Sequence, residues 1–326
     1  MKTNVLITGS NGLLANNLKI IIKEESLENK YKFFFHNREM FDLEDFDKLN
    51  DFIKDNNINE IIHTAARVGG IFDNLSFPYD YAYQNLVMDQ NIIKCAIELN
   101  INNLIVFGST CMYPDKLSND SYPLTEEMIY SGEPTQSNFS YANSKRTLIS
   151  SIDAAFSQYG LNYTALIPTN LYGYFDHYYF KNNKFSTHFV ASAISKILYA
   201  KNNSLAEVEF FGTGTPLRQY LFSKDLAKIV LDILQMEPLN DYYNVSNDEN
   251  LEIKKLALEI AEVFEYEGNI KFDNEAKFDG QYRKDVSSKK LNNILKIEFT
   301  DFNKGLKFTK KWLETNVELD INTRHN

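Results

Sequence analysis

Tyr141 and Lys145 lie four residues apart in the run Tyr141-Ala142-Asn143-Ser144-Lys145. On a helix that spacing puts both side chains on one face, one turn apart. A free phenol titrates near ~10. A cation within ~4–6 Å favours its ionised form and lowers that value, as an arginine does for a neighbouring carboxylate. The spacing therefore predicts a Tyr141 acidified by Lys145 and able to exchange a proton with a substrate oxygen near neutral pH. Such general acid–base work contributes about 10²–10⁴-fold to a rate. Ser109 ends the apolar run that leads into Phe107-Gly108-Ser109-Thr110-Cys111-Met112-Tyr113-Pro114. Its hydroxyl can hold a carbonyl oxygen against the phenol while hydride reaches the carbonyl carbon. By itself Tyr-x-x-x-Lys marks many ordinary helix surfaces. A serine at a strand end and a glycine turn upstream make the combination specific.

Hydride needs a carrier, and the N-terminal segment offers a place for one. Gly9-Ser10-Asn11-Gly12-Leu13-Leu14-Ala15 follows a buried strand predicted over residues 5–8 and opens a helix predicted over 12–23. In this G-x-x-G-x-x-A turn, Gly9 permits the tight bend and Gly12 lets the backbone approach a pyrophosphate. Small Ala15 lets the helix pack on the strand. The helix N-terminus adds free N–H groups and the positive end of its dipole. A second strand, 31–36, ends at Asn37-Arg38, without the Asp or Glu that would bind a ribose 2′-hydroxyl. Arg38 presents a planar, permanently charged fork suited to a 2′-phosphate, so the expected cofactor is NADP(H).

These residues need a frame to hold them. Residues 61–65 and 104–108 read as further buried strands, 91–99 and 141–159 as helices, and 163–167 as a strand ending at Pro168. Apolar strands alternating with helices imply a parallel sheet covered on both faces. Ligands collect at the carboxyl ends of such strands, where Ser109 falls. If extended backbone continues past Ser109, Cys111 points the same way. The expected fold is α/β: a Rossmann-type doubly wound parallel sheet with a smaller C-terminal substrate-binding lobe. Residues 1–170 would bind the dinucleotide. Residues 171–316 would form the lobe, interleaved with returns to the sheet, and 317–326 a mobile tail. Within the lobe, 175–185 reads as a loop, 187–200, 253–264 and 308–314 as helices, and 207–211 as a strand closed by Gly212-Thr213-Gly214.

The 326 residues include 34 Lys and Arg against 44 Asp and Glu, a net charge of −10. Without a basic stripe, nucleic acid and anionic membrane surfaces are poor partners. No apolar run approaches the ~18–20 residues of a membrane span, and no leader precedes the first strand. Cys95 and Cys111 fall in no metal-ligand or disulfide pattern, so no metal is expected and a reducing cytoplasm fits. Cys95, within an apolar helical pattern, reads as core.

From Val5 to about Trp312 the chain resembles the extended short-chain dehydrogenase/reductase family. Within it, the likeness is to the group that reduces, and in its fuller form also 3,5-epimerises, GDP-4-keto-6-deoxy sugars. The motifs that carry the likeness are Ala65-Ala66-Arg67-Val68-Gly69-Gly70-Ile71, the Ser109 and Tyr141 runs above, Glu133-Pro134-Thr135, Pro168-Thr169-Asn170-Leu171-Tyr172-Gly173 and Gly212-Thr213-Gly214-Thr215-Pro216-Leu217-Arg218. The resemblance implies that Ser109, Tyr141 and Lys145 form a reductase triad. It implies that Cys111 and His188 are the base and acid of an epimerase step. A ketone at C4 acidifies the hydrogens at C3 and C5, so a thiolate on one face and an imidazole on the other could invert those centres. Around the cofactor the resemblance gathers Gly9, Asn11, Gly12, Leu13, Arg38, Asp42, Leu43, Ala65, Ala66, Tyr141, Lys145 and Pro168, with Asp42 and Leu43 near the adenine. Around a GDP-linked sugar it gathers Asn170, Lys196, Phe211, Arg218 and Lys284. A homodimer packed through sheet-flanking helices is also implied.

Several alternatives stay open at this point. The chain reads Gly173-Tyr174 where the family has Gly-Pro. Residues 174–187 are long and aromatic, and Phe189-Val190-Ala191-Ser192 lacks the family's proline after the histidine. A C4 reductase for a GDP-4-keto-6-deoxy heptose, without epimerase activity, would carry the same triad. A nucleotide-sugar 4-epimerase would share it but recycle a held NAD. A 4,6-dehydratase would place acidic residues where Thr110-Cys111 stand. A non-catalytic dinucleotide sensor commonly loses the tyrosine or lysine that this chain keeps.

Overall fold

The computed structural model describes residues 2–178, 188–276 and 279–316. The first half runs β1 (Thr3–Thr8), α1 (Leu13–Glu24), β2 (Tyr31–Phe35), α2 (Phe46–Asp55), β3 (Glu60–His63), α3 (Ile71–Ser76), α4 (Pro78–Glu98), β4 (Asn103–Phe107), α5 (Phe139–Tyr159) and β5 (Tyr163–Pro168). The second runs β6 (Asn170–Tyr172), α6 (Phe189–Asn202), β7 (Glu207–Phe210), β8 (Leu217–Phe222), α7 (Ser223–Leu234), β9 (Tyr242–Val245), β10 (Asn250–Glu252), α8 (Ile253–Val263), β11 (Asn269–Phe272), α9 (Lys289–Asn292) and α10 (Phe302–Asn316).

The central sheet has six strands in the order β2-β1-β3-β4-β5-β9, all paired in parallel. Side chains alternate across it and feed two cores. Leu6, Ile61, Leu104, Val106 and Ala165 face a layer with α2, α4 and α5. Val5, Ile7, Ile62, Ile105 and Leu166 face a layer with α1 and α7. Burial on both faces explains why these strands read as continuous apolar runs. The chain steps from β1 to β2 on one side, then returns to β3 on the other. That reversal opens a crevice at the carboxyl ends of β1 and β3, where open α/β sheets bind ligands.

Beyond β5 the chain builds a three-stranded sheet, β10-β8-β6, and a parallel pair, β11-β7. A third core, with Tyr172, Phe222, Phe264 and Phe302, packs them against α6, α8 and α10. The strand β9 returns to the main sheet.

Several expected boundaries shift. The helix predicted over 91–99 is the last part of α4, which starts at Pro78; proline suits a first helical turn, where its missing N–H costs nothing. The helix predicted over 308–314 is the end of α10. The strand predicted to reach residue 65 stops at His63, because Thr64 and Ala65 bond back to Thr8: Thr64 Oγ1 donates to the Thr8 carbonyl at 2.6 Å and Ala65 N to Thr8 Oγ1 at 3.2 Å. Of the loop expected over 175–185, residues 175–178 are irregular, with Tyr178 buried and its hydroxyl donating to the Gly173 carbonyl. The rest of that loop, and the tail expected over 317–326, lie outside the described residues. Among the described residues no helix is long and apolar enough to cross a membrane, and no group of three or more His, Cys, Asp or Glu is placed to hold a metal ion.

Candidate active site

The glycine turn is built as its residue types require. Gly9 has φ +65°, and a Cβ there would come within 2.8 Å of the Ala65 Cα, so the turn after β1 presses directly on the segment after β3. Gly12 closes the turn with its N–H on the Gly9 carbonyl at 2.8 Å and caps α1 without any side-chain acceptor. The first turn of α1, beginning at Leu13, carries no acidic residue, so its N–H groups are left for a ligand. Asn11 lies in this turn, and Ala65 packs against Gly9 from the other side of the crevice. A pyrophosphate fits this cradle.

At the end of β2, Arg38 is 62% exposed and held by two carboxylates, Asp42 at 3.1 Å and Glu44 at 3.8 Å. The neighbouring carboxylates thus orient the guanidinium just beyond the end of β2. The side chain of Leu43 lies in the core.

The reductase residues come together from three elements. Ser109 follows β4 in extended conformation, but Thr110–Met112 then coil into a short 3₁₀ turn that Ser109 caps, its Oγ accepting from Cys111 N at 3.1 Å. The expected strand alternation therefore fails; the turn, not the pleat, sets Cys111 beside Ser109. Tyr141 and Lys145 lie one turn apart on α5, as the spacing predicted. The Ser109 hydroxyl faces the Tyr141 phenol and favours its ionised form, yet burial outweighs it and pushes the phenol above its ordinary value of 10.0. The charges of Cys111 and Asp89 and the ring of Tyr81 push the same way.

Burial thus opposes the acidification of Tyr141 expected from Lys145. The Lys145 ammonium lies 3.2 and 3.3 Å from the Asp89 carboxylate oxygens, which neutralise it. Asp89 in turn meets His63. Neither residue was singled out from sequence. They come from α4 and β3, and no local spacing links them to Lys145.

On the other side, Asn138 Nδ2 donates to the Cys111 sulfur at 2.9 Å. His188 falls one residue before α6, as its N-cap. It opens onto solvent but is walled by protein on most sides, which lowers its imidazole below the usual 6.5. Cys95 is fully buried, and burial pushes its thiol up to about 12, as suits a core residue.

At the lobe end, Lys196 on α6 donates to the Glu209 carbonyl at 3.0 Å and lies 5.1 Å from the rings of both Phe210 and Phe211. Phe211 is 61% exposed, an apolar plate at the surface. The Arg218 guanidinium is pinned by the carbonyls of Leu217, Asp279 and Tyr282 and lies within electrostatic reach of Cys111. Asp279 also braces the Gly212-Thr213-Gly214 turn through Thr213, whose N–H and hydroxyl both donate to it at 2.7 Å. Asn170 on β6 donates to the Gln219 carbonyl at 3.1 Å. Pro168, which ends β5, and Lys284 are half-buried.

The sequence profile of the NAD dependent epimerase/dehydratase family matches residues 5–246. A GDP-L-fucose synthase of Dictyostelium discoideum is 32% identical over 323 residues, covering 97% of each chain. A GDP-L-colitose synthase of Yersinia pseudotuberculosis is 29% identical over 309 residues, covering 94% of this chain and 96% of that one. The crystal structure of a GDP-L-fucose synthetase from Naegleria fowleri bound to NADP superposes with a TM-score of 0.84 at 29% identity, covering 98% of this chain and 96% of that one.

Proposed function

Since the chain belongs to the NAD dependent epimerase/dehydratase family, we propose that it reduces the 4-keto group of a GDP-linked 6-deoxy sugar with NADPH, and that the same pocket epimerises C3 and C5 first. The observation that carries this reading is the meeting of Ser109 and Tyr141, with Lys145 one turn away, at the carboxyl end of the sheet whose first crossover holds the glycine cradle.

In this reading the pyrophosphate of NADPH lies against Gly9 and Gly12 and is held by the backbone N–H groups that open α1, that of Leu13 among them, and Arg38 takes its 2′-phosphate. Bound NADPH supplies the hydride that forms the new C4–H bond. Ser109 holds the C4 oxygen by a hydrogen bond. Tyr141 delivers its phenolic proton to that oxygen as negative charge builds there. A phenol kept protonated by burial is suited to act as the acid. For epimerisation, Cys111 removes a proton beside the ketone and His188 returns one from the opposite face, with Asn138 steadying the sulfur. The guanine lies on Phe211, and Arg218, Lys196 and Lys284 meet the diphosphate. Residues 1–170 would serve the dinucleotide and 171–316 the sugar nucleotide.

A homodimer fits the surface. Phe72, Leu75, Phe77, Tyr79, Tyr83 and Leu86 on and around α3 and α4 are exposed, and an apolar row of this kind marks an association face. The test of function is direct. Purified protein with NADPH and a GDP-4-keto-6-deoxy sugar should consume the cofactor. In D₂O, proton NMR of the product should show deuterium at C3 and C5. Cofactor loss without exchange would leave a simple C4 reductase, and no cofactor loss would remove the reading.

A further inference from the structure

Lys145 is held by a buried chain of polar groups that starts in the wall of the cofactor crevice. Asp89 Oδ1 lies 3.1 Å from His63 Nε2, and His63 Nδ1 lies 2.8 Å from Thr8 Oγ1. Thr8, His63, Asp89 and Lys145 are 0, 2, 1 and 3% exposed, so their charges and protons meet each other and not water. One assignment satisfies every partner: Thr8 donates to Nδ1, Nε2–H donates to Asp89, and Asp89 receives Lys145 on both oxygens. Thr8 Oγ1 also accepts the Ala65 N–H at 3.2 Å, which ties the chain to the segment that Gly9 presses on.

An ammonium buried without a partner is costly, and breaking one half of a buried pair costs more than never having built it. Asp89 comes from α4 and Lys145 from α5, so the pair also locks the two helices in register. His63, on β3, keeps the carboxylate from turning away. The groups that face Tyr141 are Ser109 and Cys111 from the end of β4 and Asp89 and Tyr81 from α4.

We propose that Asp89, braced by His63, is the positioning residue for Lys145: it fixes the ammonium one turn from Tyr141 on α5. Lys145 then meets the bound cofactor and Tyr141 from a fixed place. This rests on the reductase reading, but part of its test does not.

The experiment is a double-mutant cycle on the full chain with Asp89→Asn, Lys145→Met and the two combined. Two quantities are read, thermal unfolding and single-turnover NADPH oxidation with a GDP-4-keto-6-deoxy sugar. Asp89→Asn should slow oxidation about 10²-fold, the scale of a displaced catalytic group. In the Lys145→Met background the same change should alter the rate by less than ~3-fold, because nothing is left to position. Asp89→Asn and Lys145→Met should each lower the unfolding temperature, and the combined variant should unfold above both, because neither buried charge is left without its partner. If Asp89→Asn fails to fold, a folded combined variant supports the proposal equally. A wild-type rate in Asp89→Asn would overturn it. So would an equal loss in both backgrounds, or an unfolded combined variant beside a folded Lys145→Met. Should wild-type protein oxidise no NADPH with any such sugar, the reductase reading fails, while the unfolding cycle still reports whether Asp89 and Lys145 act as one unit.

Discussion

Asn138 donates its side-chain N–H to the sulfur of Cys111 at 2.9 Å, three residues before the tyrosine that faces the same cleft. The contact holds the sulfur in place for removing a proton beside the ketone. Replacing Asn138 with Ala should therefore slow deuterium exchange at C3 and C5 by about 10-fold, the worth of one hydrogen bond to a charged group. C4 reduction should change by no more than a few-fold. Cys111→Ser should stop the exchange and still pass hydride. Proton NMR in D₂O, run beside the loss of nicotinamide absorbance, separates the two. Equal losses in both assays would sever Asn138 from the epimerase step.

The Gly9 turn allows no side chain. At φ +65°, with the Ala65 Cα 2.8 Å from where a Cβ would sit, even alanine forces β1 and β3 apart at the crevice. Gly9→Ala should weaken NADPH binding by at least about 10-fold and lower the unfolding temperature, since strain of this kind costs roughly 1–3 kcal/mol. Fluorescence titration with NADPH measures the first effect. Unchanged affinity would place the cofactor elsewhere.

Arg38 is oriented by Asp42 and Glu44 but remains open to solvent. Arg38→Ala should reduce kcat/KM for NADPH about 10-fold or more, the scale of a charge-assisted contact with phosphate. For NADH, kcat/KM should hold steady. Parallel losses with both cofactors would show that Arg38 supports the fold and not the choice of cofactor.

The pH dependence has a defined sign. Burial raises the Tyr141 phenol above 10.0. A raised value keeps the proton on, and the acid form is the one that reduction uses. Plotted against pH, kcat/KM for reduction should therefore show no tyrosine-dependent fall up to about pH 10, because this parameter reports groups of the free enzyme. A fall that begins near neutrality and vanishes in Tyr141→Phe would mean that Lys145 does acidify the phenol after all.

What could be read from the sequence was what neighbours in sequence decide. The Gly9–Gly12 turn, the i,i+4 spacing of Tyr141 and Lys145 on one helix and the existence of strands β1 to β5 depend on local spacing and period, and each is present, with the end of β3 shifted. The partners of these groups depend on packing between distant segments. Asp89 and His63 carry no spacing relative to Lys145 and reach it only through the packing of α4 and β3 against α5. Cys111 came to Ser109 through a 3₁₀ turn that side-chain alternation cannot represent. Asn138 had a faint signal, a polar residue just ahead of the helix that bears the tyrosine. The strands β6 and β10 are three residues long, too short for a period to declare itself.

The central claim is that the Tyr141 hydroxyl gives its proton to the C4 oxygen as hydride arrives. The measurement that meets it most directly compares wild type with Tyr141→Phe, a change that removes one oxygen, in single-turnover NADPH oxidation with a GDP-4-keto-6-deoxy sugar after NADPH affinity has been measured for both. Loss of general acid catalysis should slow oxidation by about 10²–10⁴-fold while the affinity stays within a few-fold. A phenylalanine variant that reduces the sugar at the wild-type rate would contradict the account.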